Sequence, residues 1–213
     1  LGGTVAKKTY DGTTDAVVTE VIFDGLKNGE SLKIDEDYDV TDAKYDSADA
    51  GEGKTVTATV KLIGNGKANN YVLNDESLRI TGQKVAKAEL TIIGGTAAEK
   101  TYDGTTDADI ISVNFAGLQN GDILELGTDY TIKNAKFDSE DAGGSRIVTA
   151  TVTLEDNDKT KNYDLADGSL VITDQEIRHK LLKEDMVIVQ EGPFTYTGGE
   201  HKPTVTVQDG SVT

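Results

Sequence analysis

Cysteine is absent from the 213 residues, and proline and histidine occur twice each. Without cysteine there is no disulfide and no thiolate metal site. If the chain is secreted, each domain has to be held by burial or by some other cross-link. His179 and His201 are the only imidazoles, and no Ser-His-Asp arrangement falls within one unit of the chain, so nucleophilic catalysis lacks its parts. No apolar run approaches the roughly 20 residues of a membrane-spanning helix. Neither a leader pattern nor an anchor pattern marks the two ends, so the chain reads as an excised piece whose address labels lie elsewhere. Basic residues are scarce, at 21 Lys and Arg against 38 Asp and Glu, a formal charge of −17. Such a field repels phosphate backbones and anionic headgroups. Nucleic-acid partners and direct membrane insertion are therefore not expected. The same field favours solubility and gathers divalent cations only weakly.

What the chain has is a repeat. Lys8-Thr9-Tyr10-Asp11-Gly12-Thr13-Thr14-Asp15-Ala16 returns unchanged at Lys100-Thr101-Tyr102-Asp103-Gly104-Thr105-Thr106-Asp107-Ala108. The offset of 92 residues holds without a gap, and more than half of positions 8–83 are identical to their partners. Asp49-Ala50-Gly51 matches Asp141-Ala142-Gly143, Val56-Thr57-Ala58-Thr59-Val60 matches Val148-Thr149-Ala150-Thr151-Val152, and Asn70-Tyr71 matches Asn162-Tyr163. Gly2-Gly3-Thr4 matches Gly94-Gly95-Thr96, so the first copy enters part-way through its opening strand. This is a tandem duplication, with units at 1–83 and 84–175. From 176 to 213 follow a linker and a partial third repeat, in which Phe194-Thr195-Tyr196-Thr197-Gly198 echoes the Tyr-Asp-Gly opening.

Within each copy the apolar period is two. Val56, Ala58, Val60 and Leu62 alternate with Thr57, Thr59 and Lys61, the mark of a half-buried antiparallel strand. Further strands are expected at 17–23, 38–45, 71–73, 77–81 and 90–93, with counterparts 92 residues on. Asp24-Gly25, Asn28-Gly29, Asp103-Gly104 and Asn120-Gly121 are turn pairs, because Asn, Asp and Gly tolerate positive φ. The expected fold class is all-β, a tandem of β-sandwich (immunoglobulin-like) domains. A single helical turn near 26–32 would also fit, which keeps a β-grasp-like variant open. The stretches 84–87 and 176–182 are read as short linkers with limited hinge motion.

The ordered motifs carry a resemblance. Lys-x-Tyr-Asp-Gly-Thr-Thr at Lys8 and Lys100, Asp-Ala-Gly at Asp49 and Asp141, Val-Thr-Ala-Thr-Val at Val56 and Val148, and Asn-Tyr-x-Leu at Asn70 and Asn162 resemble the YDG repeat of bacterial surface adhesins. That group includes filamentous-haemagglutinin-like proteins and cell-surface proteins of Firmicutes. The resemblance covers nearly all of 1–175, and 194–210 is similar to a sister repeat found beside it. It implies tandem display outside the cell and brings no catalytic residues. Because no motif offers an evident ligand site, the expected role is a monomeric rod that acts as a stalk or spacer, with a directly adhesive module and a calcium-rigidified array as the alternatives.

Several residues invite a sharper role. Tyr10-Asp11 and Tyr102-Asp103 would suit a host or matrix glycan or protein, with a stacking aromatic beside a carboxylate; the plainer reading is a packed tyrosine on an Asp-Gly turn. Asp46, Asp49, Asp138 and Asp141 would suit calcium, which takes six to eight oxygens. However, Glu52 becomes Gly144, and the acids at Asp156 and Asp158 are Gly64 and Gly66 in the first copy, so the set does not repeat as a ligand set should. Solvated turn acids are the plainer reading. Lys8, Lys44, Lys100 and Lys136 recur, as do Asn70 and Asn162, which raises an internal Lys–Asn isopeptide cross-link. Counting carboxylates leaves glycoside hydrolysis open, but two near-identical copies argue against a single shaped active site. The expectation is a non-enzyme without a resident cofactor.

Overall fold

A computed structural model describes residues 1–64, 66–183, 187–189, 198–200, 202 and 205–207. Among these there is no α-helix, and the chain is all-β. The first repeat runs β1 (Gly2–Val5), β2 (Lys8–Thr9), β3 (Val18–Ile22), β4 (Tyr38–Tyr45), β5 (Gly51–Leu62), a 3-10 turn (Gly66–Asn70) and β6 (Ser77–Ala86). The second runs β7 (Ala88–Ala97), β8 (Lys100–Thr101), β9 (Ile110–Ala116), β10 (Tyr130–Phe137), β11 (Gly143–Leu154), a 3-10 turn (Thr160–Asn162), β12 (Tyr163–Leu165) and β13 (Ser169–Arg178). A small antiparallel pair, β14 (Val187–Val189) with β15 (Val205–Val207), follows. The Phe194-to-Thr197 part of the third echo and His201 lie outside the described residues.

Each repeat combines a four-stranded sheet with a smaller one. The order is β2-β6-β5-β4 in the first copy and β8-β13-β11-β10 in the second. In both, the two-residue edge strand runs parallel to the last strand and the other pairs are antiparallel. The smaller sheet is β1-β3 in the first copy and β12-β7-β9 in the second. No helix lies across either four-stranded sheet, so the helical turn considered for 26–32 is absent. In its place Glu30 N donates to Lys27 O at 3.0 Å, with Asn28 and Gly29 at φ 54° and 70°. Two successive positive φ values make this a tight turn of the primed type that Asn-Gly favours.

The period-two pattern determines what is buried. Val56, Ala58 and Val60 on β5, and Val148, Ala150 and Val152 on β11, are inside, while Thr57, Lys61, Thr149 and Thr151 face water. Leu78, Val85, Leu170 and Ile177 from the neighbouring strands complete each core at about 1 % exposure or less. One tyrosine per repeat ties the small sheet to the large one. Tyr38 packs edge-on against Phe23 at 5.0 Å, and its hydroxyl accepts the Val21 amide at 3.0 Å. Tyr130 repeats this with Phe115 at 5.2 Å and Val113 at 3.2 Å. A buried phenol oxygen without a partner would cost about 1–3 kcal/mol, so this bond sets the spacing of the two sheets as well as filling the core.

Two sequence expectations shift. The stretch 84–87 is strand rather than linker: β6 continues to Ala86, β7 starts at Ala88, and only Lys87 stands between them. Likewise 176–178 belongs to β13. Val85 and Ala88 are buried at 1 % and 3 %, and burial on both sides of Lys87 leaves no exposed polar run to act as a hinge. The strand expected at 71–73 forms only in the second copy, as β12. There it pairs with Ala88–Leu90 of β7, and the equivalent strand of the first copy, β1, starts at Gly2, which matches Gly94.

Candidate functional site

The Tyr-Asp-Gly segment follows the short edge strand in both copies. Tyr10 N donates to Ala86 O at 2.8 Å, and Tyr102 N donates to Arg178 O at 2.9 Å. The aspartate braces the turn. Asp11 Oδ1 accepts from Thr13 N at 2.8 Å and Thr13 Oγ1 at 2.9 Å, while Oδ2 accepts from Lys8 Nζ at 2.6 Å. Asp103 does the same with Thr105 and Lys100, at 2.9, 2.9 and 2.8 Å. Lys100, with Thr105, holds the Asp103 carboxyl down at about 2. For Asp11, burial pushes upward, but Lys8 and Thr13 outweigh it and leave the carboxyl below its ordinary value. These carboxylates spend their acceptor capacity inside their own turn.

Beyond the turn the two copies part company. Tyr10 is 8 % exposed because the second repeat lies on it. Its ring meets that of Tyr163 edge-on, with centroids 5.4 Å apart. Both hydroxyls donate to Asp122 Oδ2, Tyr163 at 2.6 Å and Tyr10 at 3.2 Å. Tyr163 also accepts from the Gln119 amide at 3.0 Å. Burial first, then the Asp122 charge, raises the Tyr10 phenol above its ordinary value. Burial and the hydrogen bond to Asp122 do the same for Tyr163. Gly12 lies so close to Asn120 that an added Cβ would come within 2.3 Å of its Cβ. We call this contact the joint.

Asp49 is part of the same contact. The Ala50 amide donates to Asn162 Oδ1 at 2.9 Å, and Lys161 Nζ pairs with Asp49 Oδ2 at 3.2 Å. Burial raises the Asp49 carboxyl, but Lys161, Asn162 and Ser47 together bring it below its usual value. Asp46 Oδ2 takes the Thr55 amide at 3.1 Å, and Asp141 Oδ2 takes Ser139 Oγ at 3.3 Å. The Asp138 amide donates to Ile147 O at 2.9 Å. Among the described residues, no three or more His, Cys, Asp or Glu side chains are grouped to hold a metal ion. Of the acids singled out for calcium, Asp46 and Asp141 brace their own turns and Asp49 belongs to the joint.

The lysines considered for an isopeptide bond each close on a carboxylate. Lys8 and Lys100 pair with Asp11 and Asp103, and Lys44 and Lys136 pair with Asp15 and Asp107 at 2.7 and 2.9 Å. Asn162 is 3 % exposed in the joint, whereas Asn70 is exposed. Sequence reasoning singled out Tyr10, Asp49 and Asn162 separately and missed that they form one contact. It also missed Asp122 and Lys161, which are Glu30 and Asn69 in the first copy. No local pattern pointed to these two, since the contact joins positions more than 110 residues apart.

No curated protein and no solved structure matches the chain. The family model of the YDG domain matches it twice, at residues 1–78 and 85–170. These spans hold both Tyr-Asp-Gly turns and both sides of the joint, and the chain belongs to the YDG domain family.

Proposed function

We propose that the chain is a non-catalytic stalk segment of a bacterial cell-surface or secreted protein of the adhesin kind, in which the repeats supply length and stiffness. The observation that carries this reading is the fate of the signature residues. Tyr10, the aromatic that would stack on a ligand in the first repeat, is occupied together with Gly12 and the calcium candidate Asp49 in holding the second repeat, while Asp11 braces its own turn. The continuity of β6 and β7 supports the same reading. Residues 77–97 are strand save for Lys87, with a left-handed Gly82 inside β6, a reach of at most about 70 Å at ~3.3 Å per residue. A stalk needs two things from each repeat, a rigid body and a fixed angle to the next, and a strand running through an aromatic and ion-paired contact supplies both. The charge of −17 keeps neighbouring stalks apart on a crowded surface.

The competing reading is an adhesive module, with Tyr102-Asp103 stacking on a host or matrix glycan or docking a protein. The test is saturable binding of the full chain to a panel of glycans and extracellular-matrix proteins at physiological salt, alongside small-angle scattering. Silence across the panel, with scattering that fits a single fixed arrangement of the two repeats, supports the stalk. A saturable ligand lost on Tyr102→Ala in a folded chain would replace it with the adhesive module.

A further inference from the structure

Each half of the joint is built twice, and among the described residues each is seen in contact with its complement once. The docking half, Tyr10 to Gly12 with Asp49 to Gly51, has a copy at Tyr102 to Gly104 with Asp141 to Gly143. The receiving half, Asn120 to Asp122 with Asn162-Tyr163, has a copy at Asn28 to Glu30 with Asn70-Tyr71. The unused copies are already in shape. The Tyr71 hydroxyl donates to Glu30 and accepts the Lys27 amide at 3.1 Å, as Tyr163 does with Asp122 and Gln119. At the other end the Asp103 brace matches the Asp11 brace bond for bond. What differs is cover. Tyr102 is half-buried where Tyr10 is buried, Asp141 is exposed where Asp49 is half-buried, and Asn70 is exposed where Asn162 is buried. A Cβ added at Gly104 would meet nothing within 4 Å.

We propose that the face formed by Tyr102 to Gly104 and Asp141 to Gly143 is a docking surface for a further YDG repeat following in the same chain. The incoming repeat would bring an Asn-Gly-acid turn and a Lys-Asn-Tyr segment. Its acid accepts the Tyr102 hydroxyl, its tyrosine meets the Tyr102 ring, its asparagine oxygen takes the Ala142 amide, and its lysine pairs with Asp141. The stretch 179–213 contains no asparagine, so it does not hold these elements. Arg178 stands where Ala86 stands in the first copy, but β13 ends at Arg178 and residues 179–183 are not strand, so the further repeat reaches this face after the 179–213 stretch and not directly along β13. The inference rests on the stalk reading and extends it, because it makes the Tyr-Asp-Gly signature the contact by which such an array propagates.

The two glycines give an internal control. Gly12 and Gly104 have φ of 76° and 77°, so alanine meets the same backbone strain at both. Only at Gly12 does it also strike the neighbouring repeat. In the full chain, Gly12→Ala is therefore expected to lower the melting temperature by several degrees more than Gly104→Ala. A second copy of 87–178 is then inserted between Arg178 and His179, with its own Tyr102→Phe so that labelling reports only the original Tyr102. In this longer chain Gly104→Ala should become as damaging as Gly12→Ala. Tyr102 should also go from reactive to protected against nitration by tetranitromethane, as the buried Tyr10 should be in both chains. A Gly104→Ala that stays mild, with Tyr102 still nitrated, overturns the docking surface. Neither result depends on ligand binding, so failure here and failure of the stalk reading are separable.

Discussion

Tyr10 and Tyr102 share a nine-residue sequence and the same hydrogen bond from their amides, yet only Tyr10 donates its hydroxyl to Asp122. Removing that hydroxyl tests whether a repeat contact or a local turn is at stake. Tyr10→Phe keeps the ring against Tyr163 and loses one hydrogen bond to a carboxylate, which should cost about 1–2 kcal/mol in urea denaturation of the full chain. Tyr102→Phe should be near neutral by the same measurement, and equal losses would argue that the hydroxyl serves the turn in both. The Asp103 carboxyl makes a second prediction at this scale. Lys100 holds it at about 2, against an ordinary 3.8. A depressed folded value means the unfolded chain takes up the proton first as acid is added. Its contribution is complete above pH 4 and fades as pH falls toward 2. Carboxyl carbon chemical shifts should show Asp103 still ionised at pH 3, and a midpoint near 4 would mean the Lys100 bond does not persist in solution.

At the scale of elements, the alternation at 56–62 and 38–45 and the Asn-Gly turns were legible because one strand face is buried and the other wet, a pattern written in consecutive residues. β4 falls at 38–45 as expected, and β5 extends beyond its alternating centre to Gly51. The ends of β6 and β13 were not legible. Lys84 and Glu176 read as polar linker, but Val85 and Ile177 are buried at 1 % and 0 %, and a single apolar residue among charges carries little periodic signal. The joint was least legible of all. Its partners lie about 112 residues apart, and identical sequence at Tyr10 and Tyr102 hides their different surroundings. Continuity of β6 into β7 has a consequence that can be measured. Inserting Gly-Ser-Gly after Lys87 leaves every sheet pairing in place but lowers the effective concentration of one repeat at the other. The cooperative melt of the native chain should then split toward two transitions, and amide exchange at Ala50, whose N–H donates to Asn162 at 2.9 Å, should accelerate by tenfold or more. An unchanged exchange rate would mean the joint holds without the strand.

At the scale of the whole molecule, the titrating groups with resolved shifts near alkaline pH act in one direction. Burial raises the phenols of Tyr10, Tyr45 and Tyr163, and hydrogen bonding to Glu30 raises that of Tyr71. The ammonium groups of Lys44, Lys159 and Lys161 are raised by hydrogen bonds to Asp15, to Asp129 and to the Asp158 and Asp49 pair. A folded value above the unfolded one means the folded chain keeps its proton longer. Stability from these groups is therefore complete below about pH 10, near the ordinary tyrosine and lysine values, and is lost as pH rises through the folded values. Lys161 and the two phenols on Asp122 belong to the joint, so the contact between repeats should fail as part of this loss. Urea midpoints measured from pH 7 to 11.5 should stay level to pH 9 and then fall, with Tyr10→Phe falling less steeply because one of the shifted phenols is gone. Absorbance of phenolate near 295 nm, followed in parallel, should show late ionisation to which Tyr10, Tyr45, Tyr71 and Tyr163 contribute. A midpoint that rises with alkali would mean that relief of the net charge or some other group outweighs both the joint and the buried phenols. That outcome is unexpected, because losing lysine charge makes a chain already at −17 more negative and adds to its self-repulsion.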